Sequence, residues 1–376
     1  MTAAPGRFRD RPISLRNGSV GHDVEIPSAN PVNYHEAVSR PADMPRVTVD
    51  GKLFLPPRAA HPPLPLVILV PGSLGVAGSH LAHAEHITDA GIAAFVLDPF
   101  GARGVGATVA NQTLFSFAAS AFDVLAAFKV MSARDEIDAA RIGAQGHSRG
   151  GSAVLTAATR RFADAVIGEG KGLRSVLAAY PWCGHQFRDP TVGQTEIRIL
   201  MGDRDDWCSP MQVQAHAHAI ALTGGTVTLR LFAGAAHSFD RGTPMERVAE
   251  AKVSPAAPTA YIAEDGAFIH PLQCLPDREL RDRDLMIYAL KAGYGMTGAT
   301  IGTRDNEAEL FREDMISYGG GRWCRERAGR GAVGCPASPP RGPGSSPPGK
   351  SLACTVAQRA CVVARSRPET VAFRPA

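Results

Sequence analysis

The chain has 376 residues, 44% apolar and 20% charged, which is ordinary for a globular protein with a sizeable core. No apolar run approaches a membrane span, and the first twenty residues carry arginines but no apolar stretch, so a cytoplasmic protein without a membrane partner is expected. The formal net charge of +4 is uneven: residues 320–376 hold nine arginines and Lys350 against two glutamates, leaving the other 319 residues at −4 and arguing against a nucleic-acid partner.

In chain order, residues 1–45 are rich in Pro, Arg and Asn and are expected to form a largely irregular extension, apart from a short strand at Val24-Glu25-Ile26. Val47-Thr48-Val49 and Lys52-Leu53-Phe54-Leu55, separated by Asp50-Gly51, read as a hairpin, because Asp-Gly supplies the positive φ angles of a tight primed turn. After a Pro-rich link, residues 66–70 are a continuous apolar strand of the kind buried on both faces. Strands and helices then alternate. Strands are expected at 92–97, 141–144, 175–180, 197–201 and 227–232, and helices near 79–90, 111–132, 209–222 and 280–292. This alternation predicts an α/β domain over residues 46–319, with a mostly parallel central sheet and helices on both faces. Residues 242–278, irregular and Pro-containing, are expected to form a cap or flap.

A last helix around 311–318 gives way abruptly to an Arg/Pro/Gly-rich tail over 320–376 with no apolar period. That tail is expected to be disordered, and its abrupt onset suggests translation out of an ancestral reading frame; a natural disordered extension is the alternative. Cys324, Cys335, Cys354 and Cys361 lie in it, while Cys183, Cys208 and Cys274 are scattered through the body, so no disulfide framework is expected.

Gly146-His147-Ser148-Arg149-Gly150 falls between the strand near 141–144 and a helix beginning near 152. A serine at such a turn is held in a strained conformation with its hydroxyl raised above the sheet edge, and the flanking glycines remove side chains that would collide. A serine hydroxyl is a poor nucleophile at neutral pH and needs a base, and the base needs a group to orient it. Two downstream loops supply these in the order serine, acid, histidine. Gly202-Asp203-Arg204-Asp205-Asp206 follows the strand ending at 201, and Ala236-His237-Ser238 follows the strand ending near 232. Ser148, Asp205 and His237 are therefore the candidate triad. Asp205, three residues after Gly202, is favoured as the acid, Asp206 is the alternative, and Asp203 is expected to cap the turn or pair with arginine. Acyl transfer also needs oxyanion donors, and the backbone N–H groups of Arg149 and of Ser73, in the loop Pro71-Gly72-Ser73-Leu74-Gly75, are the candidates. An ordinary glycine-rich turn with a capping serine explains each of these sites singly, but not their joint order.

Across roughly residues 45–318, these motifs together with Asp98-Pro99-Phe100-Gly101-Ala102-Arg103-Gly104 and His237-Ser238-Phe239-Asp240-Arg241 resemble the dienelactone hydrolase family of α/β-hydrolases. The resemblance implies the α/β-hydrolase fold and hydrolysis of a small ester or lactone. Members that open dienelactones use a cysteine nucleophile and a glutamate in the first loop; here those positions hold Ser148 and Gly72. The joint change points to a serine carboxylesterase instead. Arg103 and Arg241 match the family arginines that bind the substrate carboxylate, which would favour an acidic substrate. Pairing with loop aspartates such as Asp98 and Asp240 is the other reading of them.

No cofactor or metal is expected. His80, His83 and His86 fall three apart on one helix, but no cysteine or carboxylate cluster joins them, so they read as a solvated helix face. His216 and His218 face different directions on theirs, and Trp182-Cys183 and Trp207-Cys208 read as pocket wall rather than reactive thiols. The expected function is hydrolysis of a carboxylic ester or lactone through an acyl-serine. A thioesterase or acyl-peptide hydrolase is the alternative within the class, and a non-catalytic binding protein the alternative outside it.

Overall fold

The computed structural model describes residues 7–57 and 62–322, with only the backbone described for 320–322. The disordered, out-of-frame tail expected beyond them, with its cysteines, lies outside the described residues. In chain order the first nine strands are β1 (Gly21–Ala29), β2 (Arg46–Phe54), β3 (Leu64–Val70), β4 (Ala93–Asp98), β5 (Ile137–His147), β6 (Ser175–Ala179), β7 (His185–Phe187), β8 (Glu196–Gly202) and β9 (Val227–Phe232). All except β7 join one sheet in the order β1-β2-β4-β3-β5-β6-β8-β9. Only β2 runs against its neighbours; from β4 through β9 every pairing is parallel.

The solid apolar run of β3 explains its central place. Leu66, Ile68 and Val70 pack on one face against Val124 and Phe128 of helix α3 (Phe117–Ser132), and Val67 and Leu69 pack on the other against Ala84 and Ile87 of α2 (Gly78–Asp89). Each such fully buried aliphatic side chain contributes about 1.5–3 kcal/mol. The remaining helices are α1 (Tyr34–Ser39), α4 (Arg149–Ala158), α5 (Arg160–Ile167), α6 (Pro210–Leu222), α7 (Asp282–Lys291) and α8 (Glu307–Arg322). Local signals set several starts: Ser116 caps α3 by accepting from the Ala119 N–H, and Ser209 followed by Pro210 opens α6.

Three expectations are corrected. The strand expected at Val24-Glu25-Ile26 is longer than that: β1 is a nine-residue edge strand with Val24, Ile26 and Ser28 turned inward, and an edge tolerates Pro27 because no neighbour needs its missing N–H. Asp50-Gly51 forms no turn, for β2 runs straight through it. A Cβ on Gly51 would lie 2.5 Å from the Phe95 ring and 2.4 Å from the Val96 carbonyl, so the glycine serves the close approach of β4. The segment 242–278 is also more regular than expected. It holds β10 (Glu246–Val253), β11 (Ala260–Ile262), β12 (Phe268–Ile269) and β13 (Pro276–Asp277). The first pairs with β14 (Met296–Ile301), and the others form a small sheet with β7, order β13-β12-β11-β7.

Candidate active site

The elbow is built where β5 ends and α4 begins. Ser148 has φ 53° and ψ −115°, a left-handed conformation that costs a non-glycine residue roughly 1–3 kcal/mol. Its neighbours leave no alternative. A Cβ on Gly146 would lie 2.1 Å from the Gly150 carbonyl oxygen, and one on Gly150 would lie 2.3 Å from the Val70 oxygen. The Ser148 N–H donates to the Ala179 carbonyl at 2.9 Å, which ties the elbow to the end of β6.

The three candidate residues meet. The Ser148 hydroxyl faces His237 Nε2 at 2.9 Å, and the Nδ1–H of the same ring donates to Asp205 Oδ2 at 2.7 Å. The other Asp205 oxygen accepts from the backbone N–H groups of Trp207 and Cys208, both at 2.8 Å, so the carboxylate is fixed from two sides. His237 is stacked on Trp207 and edge-on to Tyr180, with ring centroids 5.1 Å and 4.7 Å away. Asp206 turns elsewhere, accepting from the N–H and hydroxyl of Thr300. Asp203 accepts from the Gly234 N–H and caps that turn.

The first loop comes against the elbow. The Gly72 carbonyl accepts from the Gly75 N–H at 3.0 Å, which turns the Ser73 N–H of the same peptide to the opposite side. Among the described residues, neither the Ser73 nor the Arg149 backbone N–H has an acceptor. Two clefts open from Ser148. The larger is walled by Phe117, Trp182, Trp207, Leu285 and Met286; the smaller is lined by His237, Tyr180 and Arg241. The segment expected to cap the site contributes Val253, Ser254 and Pro258 to the wall of the larger cleft.

Arg103 departs from expectation. Its guanidinium makes a buried ion pair with Asp123, at 2.7 and 3.0 Å, and also donates to Asn30 and to the Ala29 and Pro99 carbonyls. The Asp98 pairing considered for it is not the one formed. Asp123 would otherwise be a lone charge in the core, and this need outweighs a role at the surface of a cleft. Arg241 lines the smaller cleft, and Asp240 is committed to other partners.

The helix-face reading of the histidines is also corrected. His80 and His83 are buried, and His83 donates to Asp240 Oδ2 at 2.7 Å, while Tyr180 donates to Oδ1 at 2.6 Å. Burial raises the Asp240 carboxyl, but the His83 hydrogen bond, the nearby histidines and the Tyr180 hydroxyl together hold it well below the usual range. Burial also pushes His147 down to about 4. His83, His147 and Asp240 bring ligand-type atoms within 4.8 Å of one another. The two rings stack with planes 8° apart, so their in-plane lone pairs run side by side instead of converging on one ion. Trp182, Trp207 and Cys208 form cleft wall as expected, and burial raises both the Cys208 and Cys183 thiols, which keeps them protonated.

Sequence reasoning missed Gln112, Tyr180 and Asp282, because each gains its meaning from partners far along the chain. Asp282 opens α7 on the wall of the larger cleft and accepts from the Phe117 N–H at 2.7 Å. Burial pushes its carboxyl up to about 6, although that N–H and the Arg149 guanidinium favour the anion. A pKa above the ordinary value means stability that is full below about pH 4 and lost as pH rises through about 6. Asp282→Asn is therefore expected to melt a few degrees above the wild type at pH 8 and close to it at pH 4. Equal melting temperatures at both pH values would contradict this assignment.

The model of the dienelactone hydrolase family matches residues 49–258. A search of curated proteins finds no match. Among solved structures, Est1E from Butyrivibrio proteoclasticus is 17% identical with a TM-score of 0.38, over 51% of this chain and 86% of that one. The dienelactone hydrolase-like promiscuous phosphotriesterase P91 from metagenomic libraries is 13% identical with a TM-score of 0.42, over 78% and 99%. Est2, an esterase of Thermogutta terrifontis, is 17% identical with a TM-score of 0.40, over 56% and 85%. No activity passes from these structures to the chain at such values. No described helix is long and apolar enough to cross a membrane. The family model spans more than half of the 376 residues, and the chain therefore belongs to the dienelactone hydrolase family of hydrolases.

Proposed function

We propose that the protein hydrolyses a small carboxylic ester or lactone through an acyl-serine intermediate. The observation that carries this reading is the unbroken hydrogen-bonded run from Asp205 through His237 to Ser148, at 2.7 and 2.9 Å. His237 Nε2 takes the hydroxyl proton as Ser148 Oγ bonds to the substrate carbonyl carbon. The carbonyl oxygen becomes an oxyanion and accepts from the Ser73 and Arg149 N–H groups. Collapse breaks the bond to the alcohol, which leaves with the proton from His237. Water then repeats the cycle, releasing the acid and restoring the hydroxyl. Asp205 keeps the imidazole in the tautomer with hydrogen on Nδ1 and stabilises the imidazolium.

The leaving oxygen must receive its proton from His237, so the alcohol belongs on the His237 side, in the smaller cleft. The acyl group then enters the larger aromatic-walled cleft, which favours a bulky apolar acyl chain over acetyl. Arg241 would meet a carboxylate carried on the alcohol side. A Cβ on Gly72 would lie 3.1 Å from Ser148 Cβ, so the position beside the nucleophile carries no acid to control a thiol, in keeping with serine chemistry. A series of p-nitrophenyl esters tests the reading. The expected result is turnover that improves from acetate to hexanoate, with a pre-steady-state burst approaching one nitrophenolate per enzyme. No release above the buffer rate from any member of the series would overturn it.

A further inference from the structure

We infer that the Gln112 side chain is a positioning group for the Ser73 oxyanion donor, set in a segment that the Arg149 guanidinium ties to the turn carrying Ser148; the inference rests on the ester-hydrolase reading above. Ser73 and Arg149 lie 76 positions apart and enter the site from different loops, yet the Ser73 hydroxyl ends on the Gln112 side chain and the Arg149 guanidinium on the Gln112 main-chain carbonyl. The Ser73 hydroxyl donates to Gln112 Oε1 at 3.0 Å, and Arg149 Nη1 donates to the Gln112 carbonyl at 2.9 Å. All three residues are buried.

The brace is itself held. Thr108 donates its hydroxyl to the same Oε1 at 3.3 Å and its N–H to the Ser73 carbonyl at 2.8 Å. The Arg149 guanidinium also donates to the Phe115 and Ser116 carbonyls and the Ser120 hydroxyl, and it lies over the Phe115 and Phe117 rings at 4.4 and 4.1 Å. A buried cation whose hydrogen bonds all end on the segment 112–120 holds that segment to the elbow. It adds no negative charge where an oxyanion forms. Donors act on the developing charge only if they are already in place when it forms, and a displacement of a few tenths of an ångström weakens them. The Gln112 side chain thereby holds the loop carrying the Ser73 N–H to the segment that the Arg149 guanidinium anchors.

The test is a double-mutant cycle on Ser73→Ala and Gln112→Met, read with p-nitrophenyl butyrate. Each single variant is expected to lower kcat by about tenfold with KM changed less than about threefold, and the double variant to lose no more than the worse single one. A trifluoromethyl ketone, whose adduct carries an oxyanion, should lose affinity in proportion to kcat, while binding of the product butyrate should not change. A merely structural role would weaken both ligands alike. Ser73→Thr keeps the hydroxyl and should retain more activity than Ser73→Ala, so the Thr/Ala pair decides the matter if Gln112→Met does not fold. Losses that add, or single variants within twofold of wild type, overturn the inference. If the wild type turns over no ester at all, it is the ester-hydrolase reading that fails.

Discussion

Replacing Ser148 with alanine is expected to lower kcat/KM on p-nitrophenyl butyrate by about 10⁵-fold, leaving the residual rate of a cleft that still binds the ester and still offers two N–H donors. The residue cannot be bypassed, because among the described residues no other hydroxyl is hydrogen-bonded to the imidazole: His237 Nε2 faces Ser148 Oγ at 2.9 Å, and Nδ1 is committed to Asp205. Asp205→Asn is expected to cost about 10⁴-fold, since an amide NH₂ facing Nδ1 drives the ring toward the wrong tautomer. Asp206→Asn should stay within about tenfold, because that carboxylate holds Thr300 in β14 and only steadies the loop. Steady-state kinetics on the three purified variants check the ranking. A loss on Asp206→Asn equal to that on Asp205→Asn would contradict the assignment of the acid.

Gly150→Ala is expected to destabilise the fold by about 3 kcal/mol or more, with a fall in melting temperature approaching 10 °C or loss of soluble protein. Its Cβ would lie 2.3 Å from the Val70 carbonyl and 2.6 Å from that of Pro71, both backbone atoms with no rotamer to yield. The clash joins stability to chemistry, because β3 and the loop carrying Ser73 must approach the elbow at this place. Relief by retreat of that loop would also carry the Ser73 N–H away from the nucleophile, so any folded fraction should show reduced kcat. Gly78→Ala, where a Cβ meets nothing within 4 Å, is the control and should melt within a degree or two of wild type. Thermal melts of the two variants decide the point; equal stability would mean that the elbow has slack.

What could be read beforehand was what depends on neighbours in sequence. Gly146 and Gly150 bracket Ser148 because the turn is local, and the acid and histidine loops announce themselves by following apolar strand runs. The spacing from Gly202 favours Asp205 over Asp206, and the direction in which each side chain leaves the loop, which alternates within a single residue, gives the two carboxylates different partners. Asp50-Gly51 carries a strong turn signal, and packing of Phe95 across the strand overrode it. His80 and His83 looked like solvated polar residues because the carboxylate that makes burial tolerable, Asp240, lies 157 residues beyond His83. Arg103 fitted a substrate-binding pattern, and its Asp123 partner sits on a helix whose inward face cannot be told from the spacing of its apolar residues alone. The short strands β11 to β13 have two or three residues each, too few for a period to register.

The most direct test is covalent labelling with a fluorophosphonate, followed by peptide mass spectrometry. One adduct per chain on Ser148, formed by wild type and lost in His237→Ala, is the predicted result. Failure to label, or an adduct on another residue at the same rate in both proteins, would contradict it.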